Sequence, residues 1–207
     1  MKILITAGAT WIKIDDVRIL TNRFTGKTGL FLCENFRKKG HSVTLLINPH
    51  CLPGLKQKGV ITYRYFNEFK EQITQLLKKN KYDAIIHMAA VSDYELKKPA
   101  KGKIPSLKNS LYLRLRPTEK IIKKIRSLAE NSLLIQFKLE PRRRGLINDA
   151  YSSLLANKSN FVVANALEDL KDKYKGFLVD RDRNVVPVHS QGSLARLLEQ
   201  IIRESRF

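Results

Sequence analysis

Along this chain the spacing of apolar residues switches repeatedly between the period of a strand and that of a helix. Residues 2–6, KILIT, form a short apolar run that predicts a buried strand ending at Ala7-Gly8. Residues 28–39 carry Leu30, Phe31, Leu32, Cys33 and Phe36, with Gly40 placed to end a helix, and residues 41–49 predict the next strand. Residues 60–65 alternate as a third. In residues 66–79, Phe69, Ile73, Leu76 and Leu77 fall on one helical face, with lysines in the last turn where they complement the helix dipole. Residues 82–90, YDAIIHMAA, are apolar almost throughout, as suits a central parallel strand buried on both faces. Residues 111–115 and 132–137 predict strands around a helix at 119–129, with Thr118 as its N-cap. A helix at 146–156 leads to a strand at 161–164. Residues 175–179 and 185–188 flank the polar turn Asp180-Arg181-Asp182-Arg183-Asn184 as a hairpin, and residues 192–204 form an amphipathic helix. Strands alternating with helices predict an α/β fold, Rossmann-like, with a mostly parallel sheet, helices on both faces, and a C-terminal hairpin and helix. With no internal repeat and no linker, residues 1–207 read as a single domain.

Composition narrows the setting. No run approaches the roughly 18 consecutive apolar residues of a membrane span, and MKILITAG turns polar too early for a signal peptide. Cys33 and Cys51 lack metal-ligand or C-x-x-C spacing, so reduced thiols in a cytoplasmic protein are the simplest reading. Charge changes the picture more. Lys plus Arg number 39 against 19 Asp plus Glu, a net charge of +20, which points to phosphate-bearing small molecules, nucleic acid or an anionic membrane surface. The basic residues spread along the whole chain, densest at Lys97-Lys98-Pro99-Ala100-Lys101-Gly102-Lys103 and Arg142-Arg143-Arg144. A basic nucleic-acid-binding α/β module is therefore one reading, although the sequence shows neither a recognition-helix motif nor an aromatic–glycine RNA signature.

In a sheet of this kind, ligands bind beyond the carboxyl ends of the strands. Four predicted strand ends carry candidate chemistry. They are Thr6-Ala7-Gly8-Ala9-Thr10, Ala89-Ala90-Val91-Ser92-Asp93-Tyr94, Phe137-Lys138-Leu139-Glu140 and Val163-Ala164-Asn165. Singly, each has an ordinary explanation: Asp93 as a loop acid, Phe137 as core, Asn165 as a turn residue. The stretch TNRFTGKTG at residues 21–29 is more specific, because a polar, glycine-containing run into a helix offers free backbone N–H groups and the positive end of the dipole to an anion. Gly26-Lys27-Thr28 matches the end of a P-loop, but position 21 is threonine where the first P-loop glycine belongs. No G-x-G-x-x-G follows the first strand, which argues against a nicotinamide dinucleotide site.

Taken in order, ITAGAT, Ile14-Asp15-x-Val17-Arg18, TNRFTGKTG, AAVSDY (89–94), GKI (102–104), FKLE (137–140) and VVAN (162–165) resemble the phosphopantothenate–cysteine ligases over nearly the whole chain. The match is to the free-standing form, without the flavin-dependent decarboxylase to which the ligase is fused in many bacteria. The resemblance implies an amide-forming ligase of coenzyme A biosynthesis. A nucleoside triphosphate, CTP or ATP, activates the carboxylate of 4′-phosphopantothenate as an acyl-nucleotide with release of pyrophosphate. The amine of cysteine then displaces the nucleoside monophosphate. The resemblance also implies Mg2+ bridging the triphosphate, and a homodimer.

By position within the motifs, the resemblance makes Asn22 the contact to the acyl-nucleotide and Lys103 a catalytic lysine on a mobile loop. It assigns nucleotide or substrate binding to Gly8, Arg18, Thr25, Gly26, Ala89, Ala90, Asp93, Phe137, Lys158 and Asn165, with Phe137 a wall for the base. The chain departs from the family pattern at Ile12 and Lys13, where an acid and a proline are common. A family lysine falls on Asn157, with Lys158 next door, and a Ser-Lys pair reads Ser190-Gln191. A catalytically silent relative is the remaining alternative, against which Asn22 and Lys103 both stand.

Overall fold

The structure, a computed structural model, describes residues 1–50, 58–106, 110–169 and 174–205. Strand β1 (Lys2–Ala7) is followed by a small antiparallel pair, β2 (Trp11–Lys13) and β3 (Ile19–Thr21), before α1 (Lys27–Lys38) returns the chain to β4 (Ser42–Ile47) and β5 (Val60–Thr62). Helix α2 (Phe66–Lys79) crosses to β6 (Ala84–His87), after which β7 (Tyr94–Leu96) and β8 (Leu115–Pro117) form a second antiparallel pair. Helix α3 (Ile121–Leu128) leads to β9 (Leu133–Glu140), and α4 (Leu146–Ala156) to β10 (Phe161–Ala166). Strands β11 (Gly176–Asp180) and β12 (Val185–Val188) and helix α5 (Gln191–Glu204) complete the fold.

The main sheet has eight strands in the order β12-β11-β10-β9-β6-β1-β4-β5. The six from β10 to β5 are mutually parallel, and β11 and β12 are antiparallel additions at one edge. Successive strand residues point to opposite faces, so continuous apolar runs serve two cores at once. Ile3, Ile5 and Ile86 meet Leu32, Phe36, Leu194 and Leu198 of α1 and α5. Leu4, Ile85 and Leu134, on the other face, meet Phe69, Ile73, Ile121 and Ile125 of α2 and α3. Helix α4 covers Val162 and Ala164 on that second face. The expected α/β architecture, with helices on both faces and a terminal hairpin and helix, is the one observed.

Several local expectations shift. The pairs β2–β3 and β7–β8 are not foreseen, because three-residue strands carry too little alternation to register. The strand expected at 111–115 forms instead at Leu115–Pro117. The run at 82–90 contributes only Ala84–His87 to the sheet; Tyr82 is buried ahead of the strand, and Ala90 bonds to the loop after β1. Thr118 does not cap α3: its hydroxyl donates to the Ser92 carbonyl at 2.6 Å, and Lys120 takes the N-cap position. Cys33 is a buried free thiol whose pKa burial pushes up to about 11, and Cys51 lies outside the described residues. Among the described residues no helix is long and apolar enough to cross a membrane.

Helix α5 is fastened to the sheet by Glu199, only 7% exposed, whose carboxylate meets Lys39 (3.0 Å), His41 (3.4 Å) and Arg203. Burial would raise its pKa, but bonds from Arg203, Lys39 and His41 outweigh it and bring the value down to about 2. A carboxylate depressed in the fold contributes stability above its ordinary value of 4.5, and that contribution is lost as pH falls toward 2. His41 works in the same direction: burial lowers its pKa despite Glu199, so the unfolded chain takes the proton first as pH falls below 6.5. Glu199→Gln is expected to lower the melting temperature at neutral pH and to flatten its decline below pH 4.5. Thermal melts across the acid range check this, and parallel curves for variant and parent would refute it.

Candidate active site at the carboxyl edge of the sheet

From β1 the chain leaves to β4 on one side and reaches β6 on the other, so the carboxyl ends of β1 and β6 diverge. This is the switch point at which open parallel sheets bind ligands. Two loops knit the opening together: Ala90 N–H donates to the Gly8 carbonyl at 2.9 Å, and Thr10 N–H to the Ala90 carbonyl at 3.3 Å. From below, Tyr63 OH donates to the carbonyls of Ala7 (2.7 Å) and Gly8 (3.0 Å), and Asn48 Nδ2 to that of Ala9 (2.7 Å). Gly26 comes so close that a Cβ on it would lie 2.8 Å from the Gly8 nitrogen, and its φ of 82° is itself left-handed. The stretch at 21–29 is thus pressed backbone to backbone against the end of β1.

Gly26 is the N-cap of α1. It provides no side-chain cap and the first turn holds no acid, so the helix presents uncommitted N–H groups. The start of α3 is likewise without a side-chain cap or an acid in its first turn. Both helix starts line one cleft of about 740 Å³, through Lys27 and Thr28 on one side and Lys120 to Lys123 on the other. Two such ends facing one space favour anionic groups there.

Nine of the residues singled out in the sequence line this cleft: Gly8, Asn22, Thr25, Gly26, Ala89, Ala90, Asp93, Phe137 and Asn165. Asn22 donates from Nδ2 to the Ala90 carbonyl at 3.2 Å, joining the end of β3 to the loop after β6. Asp93 pairs with Lys120 at 2.6 Å. Asn165 donates to the Lys175 carbonyl at 2.7 Å and accepts from Tyr174 OH at 3.4 Å, at the edge nearest β11. Phe137 packs toward the α1–α5 core.

Arg18, Lys103 and Lys158 lie outside the lining. Lys158 is exposed with a left-handed φ of 53°, and Asn157 beside it lines the cleft instead. Arg18 binds Asp15 and the Ile104 carbonyl. The buried carboxylate of Asp15 also accepts N–H bonds from Val17 (2.8 Å), Arg18 (2.7 Å) and Ile104 (3.0 Å). Burial would raise its pKa, but bonds from Ile104, Val17 and Arg18 hold it well below the usual carboxylate range. Asp16 accepts from Gly102 N–H at 2.8 Å and returns a bond to the Gly102 carbonyl. The residues on both sides of Lys103 are therefore clamped while Lys103 itself stays exposed. Arg18 acts on the loop that carries Lys103.

Sequence reasoning missed His87, Gln136 and Ser153, which form the inner end of the cleft together with Asn157. The available signal was a polar residue interrupting each of two buried apolar runs, at IIHMAA and LLIQF. His87 shares a 2.8 Å hydrogen bond between Nδ1 and Thr6 Oγ1 and lies stacked near Phe69. Burial pushes its pKa down to about 4. Its imidazole proton resonances should therefore not titrate through the neutral range in NMR spectra, and a midpoint near the ordinary 6.5 would refute this. Among the described residues no group of three or more His, Cys, Asp or Glu side chains is placed to hold a metal.

Residues 1–204 match the family of the DNA/pantothenate metabolism flavoprotein C-terminal domain. The chain is 35% identical over 184 residues to the Coenzyme A biosynthesis bifunctional protein CoaBC of Thermococcus kodakarensis, a match covering 87% of this chain and 45% of that protein. It thus spans about half the length of such curated relatives. The DNA/pantothenate metabolism flavoprotein from Streptococcus pneumoniae superposes with a TM-score of 0.88 at 25% identity, covering 99% of both chains. The C-terminal domain of Coenzyme A biosynthesis bifunctional protein CoaBC superposes with a TM-score of 0.77 at 25% identity, over 98% of this chain and 94% of that one.

Proposed function

The chain belongs to the DNA/pantothenate metabolism flavoprotein C-terminal domain family, and from that premise we propose that it is a phosphopantothenate–cysteine ligase using CTP or ATP. The observation that carries the reading is the cleft at the β1–β6 switch point, where two uncapped helix starts and a glycine floor surround Asn22. The kinship to a relative named for coenzyme A biosynthesis supports it.

The reaction brings two polyanions together, so their repulsion must be offset locally. Backbone N–H groups at α1 and the Gly8–Gly26 floor suit one phosphate, and the start of α3 with Lys120 and Lys123 suits another. A carboxylate oxygen of 4′-phosphopantothenate attacks the α-phosphorus and the bond to pyrophosphate breaks. The cysteine amine then attacks the acyl carbon, loses a proton, and nucleoside monophosphate departs. Asn22, whose Nδ2 donates to the Ala90 carbonyl in the cleft, is assigned the contact to the acyl-nucleotide. Lys103 is assigned to the charge that develops on the α-phosphate.

The residues present suit a magnesium ion delivered with the triphosphate. The lining carboxylates Asp93 and Glu119 are each engaged by lysine, at 2.6 Å to Lys120 and 2.5 Å to Lys70. Phosphate oxygens would therefore hold the ion, and its chemistry would be to offset charge on the leaving pyrophosphate. A homodimer belongs to the same proposal, supported by exposed Tyr94, Leu111, Tyr112, Leu113 and Leu115 on and beside the β7–β8 pair. Analytical ultracentrifugation tests it.

The ligase reading is tested by incubating the protein with 4′-phosphopantothenate, cysteine, Mg2+ and either CTP or ATP. Pyrophosphate release that depends on phosphopantothenate supports it. Absence of release with both nucleotides, from folded protein, overturns it.

A further inference from the structure

A second opening lies at the opposite, amino edge of the sheet. Two cavities of about 730 Å³ and 1030 Å³ meet there, sharing Glu130, Asn131 and Ser132 on the turn from α3 to β9. The first runs from Met1 along the turn from α2 to β6. The second continues past the carboxyl end of α4 to Arg181, just beyond β11. Strands β1, β6, β9, β10 and β11 are neighbours in that order, and β11 runs antiparallel, so its end lies beside the start of β10. At about 4.8 Å per strand, the joint groove is about 19 Å long. Its far wall borders the cleft at the carboxyl edge, where Lys123, Ala156 and Asn157 line both.

The groove carries six cations that form no salt bridge among the described residues. Lys78, Lys79, Lys81 and Lys158 are exposed, and their ammonium groups have no hydrogen-bond partner among those residues either. Arg126 donates to the carbonyls of Ala129 (3.1 Å), Glu130 (2.7 Å) and Ser132 (3.0 Å) and to Asn160 Oδ1 (2.9 Å). Arg181 donates to the carbonyls of Ser159 and Lys158, each at 3.0 Å. All these acceptors are uncharged, so both guanidiniums are held in place with their full charge. They also act on one another: burial, then the charge of Arg181, lowers the pKa of Arg126. Lysines complement the dipole in the last turn of α2, which accounts for Lys78 and Lys79. Lys81 and Arg181 stand in loops, where no helix asks for them. Two acids, Asp83 and Glu130, line the groove with these six cations.

Positive charge spread along a trough suits a chain of anions better than a compact one. Among the described lining residues Tyr82 is the only aromatic ring, and it is 5% exposed. A strand lying here therefore finds no platform on which to stack its bases, and its contacts go to phosphate, which positions a strand but carries no sequence information. We propose that this groove holds a nucleic-acid strand by its phosphodiester backbone, without reading its bases. At a rise of about 3.4 Å per phosphate in a helical strand, a groove of about 19 Å spans five or six phosphates, which suits six cations. The net charge of +20 draws a polyanion toward the chain as a whole; the groove gives it a place to lie. The proposal stands apart from the ligase reading and takes nothing from it.

The test is fluorescence anisotropy of labelled oligoadenylate and oligouridylate with the full chain, across a range of salt. Six phosphate contacts predict a slope of log affinity against log salt of about −4, a loss of about two orders of magnitude between about 50 and 200 mM. The two strands should bind within about threefold of each other, and saturating CTP or ATP with Mg2+ should change neither affinity by more than that. Lys79→Gln, Lys81→Gln and Lys158→Gln together are expected to bring the slope to about −2. Arg142→Gln, Arg144→Gln and Arg196→Gln together remove the same charge from the carboxyl edge and from α5, and should leave the slope at about −4. Equal losses in the two triple variants assign the binding to net charge and overturn the inference. So does a preference for one base beyond about threefold, or displacement by the nucleotides, which moves the strand to the other cleft. Absence of binding at about 50 mM salt overturns it without any variant. Capture on vesicles of phosphatidylserine and phosphatidylcholine, with none of the oligonucleotides bound, also overturns it.

Discussion

Lys103→Gln should slow pyrophosphate release at least about a hundredfold, the scale on which loss of one charge-stabilising group acts in a transition state. The fold gives no reason for any loss of stability. The side chain is exposed, and the bonds that hold its loop run through Gly102 and Ile104 to Asp16 and Asp15. Circular dichroism and melting temperature should therefore match the parent while turnover collapses. An unchanged rate in the folded variant would remove Lys103 from the chemistry. Asp15→Asn provides the complementary arm, because it leaves Lys103 in place while disrupting the acceptor shared by Val17, Arg18 and Ile104. A positioning role for Asp15 predicts a fall in turnover with nucleotide binding retained. Loss of binding alone would contradict it.

Gly29→Val is expected to cost about 3 kcal/mol of stability, in the range for forced overpacking. That corresponds to a fall of about 6–12 °C in melting temperature for a chain of this length. Helix α1 crosses the end of β1 at Gly29, where a Cβ would be driven into that of Ala7, with Met88 Sδ 3.3 Å away. Met88 can shift its flexible side chain, but Ala7 cannot retreat, since it is fully buried in the central strand. Relief requires α1 to lift, which separates Gly26 from Gly8 and opens the phosphate floor, so nucleotide affinity should fall even well below the melting temperature. Gly40→Ala is the control for backbone strain without a clash. It has a φ of 82° but nothing within 4 Å of a new Cβ, so it should cost about 1–2 kcal/mol and leave binding intact. Equal effects at the two positions would refute the packing argument.

The architecture was legible because the parallel strands are apolar on both faces. Leu4 and Ile5, or Ile85 and Ile86, each feed a different core, and that need writes an unbroken run into the sequence. The helix start at Gly26 and the strand-end loops were legible for the same kind of reason, since each carries small or polar residues where the chain must turn. The clamp from Asp15 to Ile104 was not, because its partners lie 89 residues apart and meet through backbone N–H groups that any residue supplies. The inner polar row escaped notice because His87 and Gln136 are unremarkable until β6 and β9 are paired in register. Arg18 and Lys158 stood beside functional motifs in the sequence, but their side chains serve the loop and the surface.

Gln191, one of the departures from the pattern this chain resembles, donates to Thr28 Oγ1 at 2.9 Å. This bond ties the first turn of α1 to the first turn of the last helix, 163 residues away in the chain. Leu194 and Leu198 of that helix share a core with Leu32 and Phe36 of α1. β1, α1 and β4 are synthesised before α5, so the outer side of α1 has no cover until α5 has been made. The helix start that lines the cleft is therefore completed only once the last element of the fold has docked.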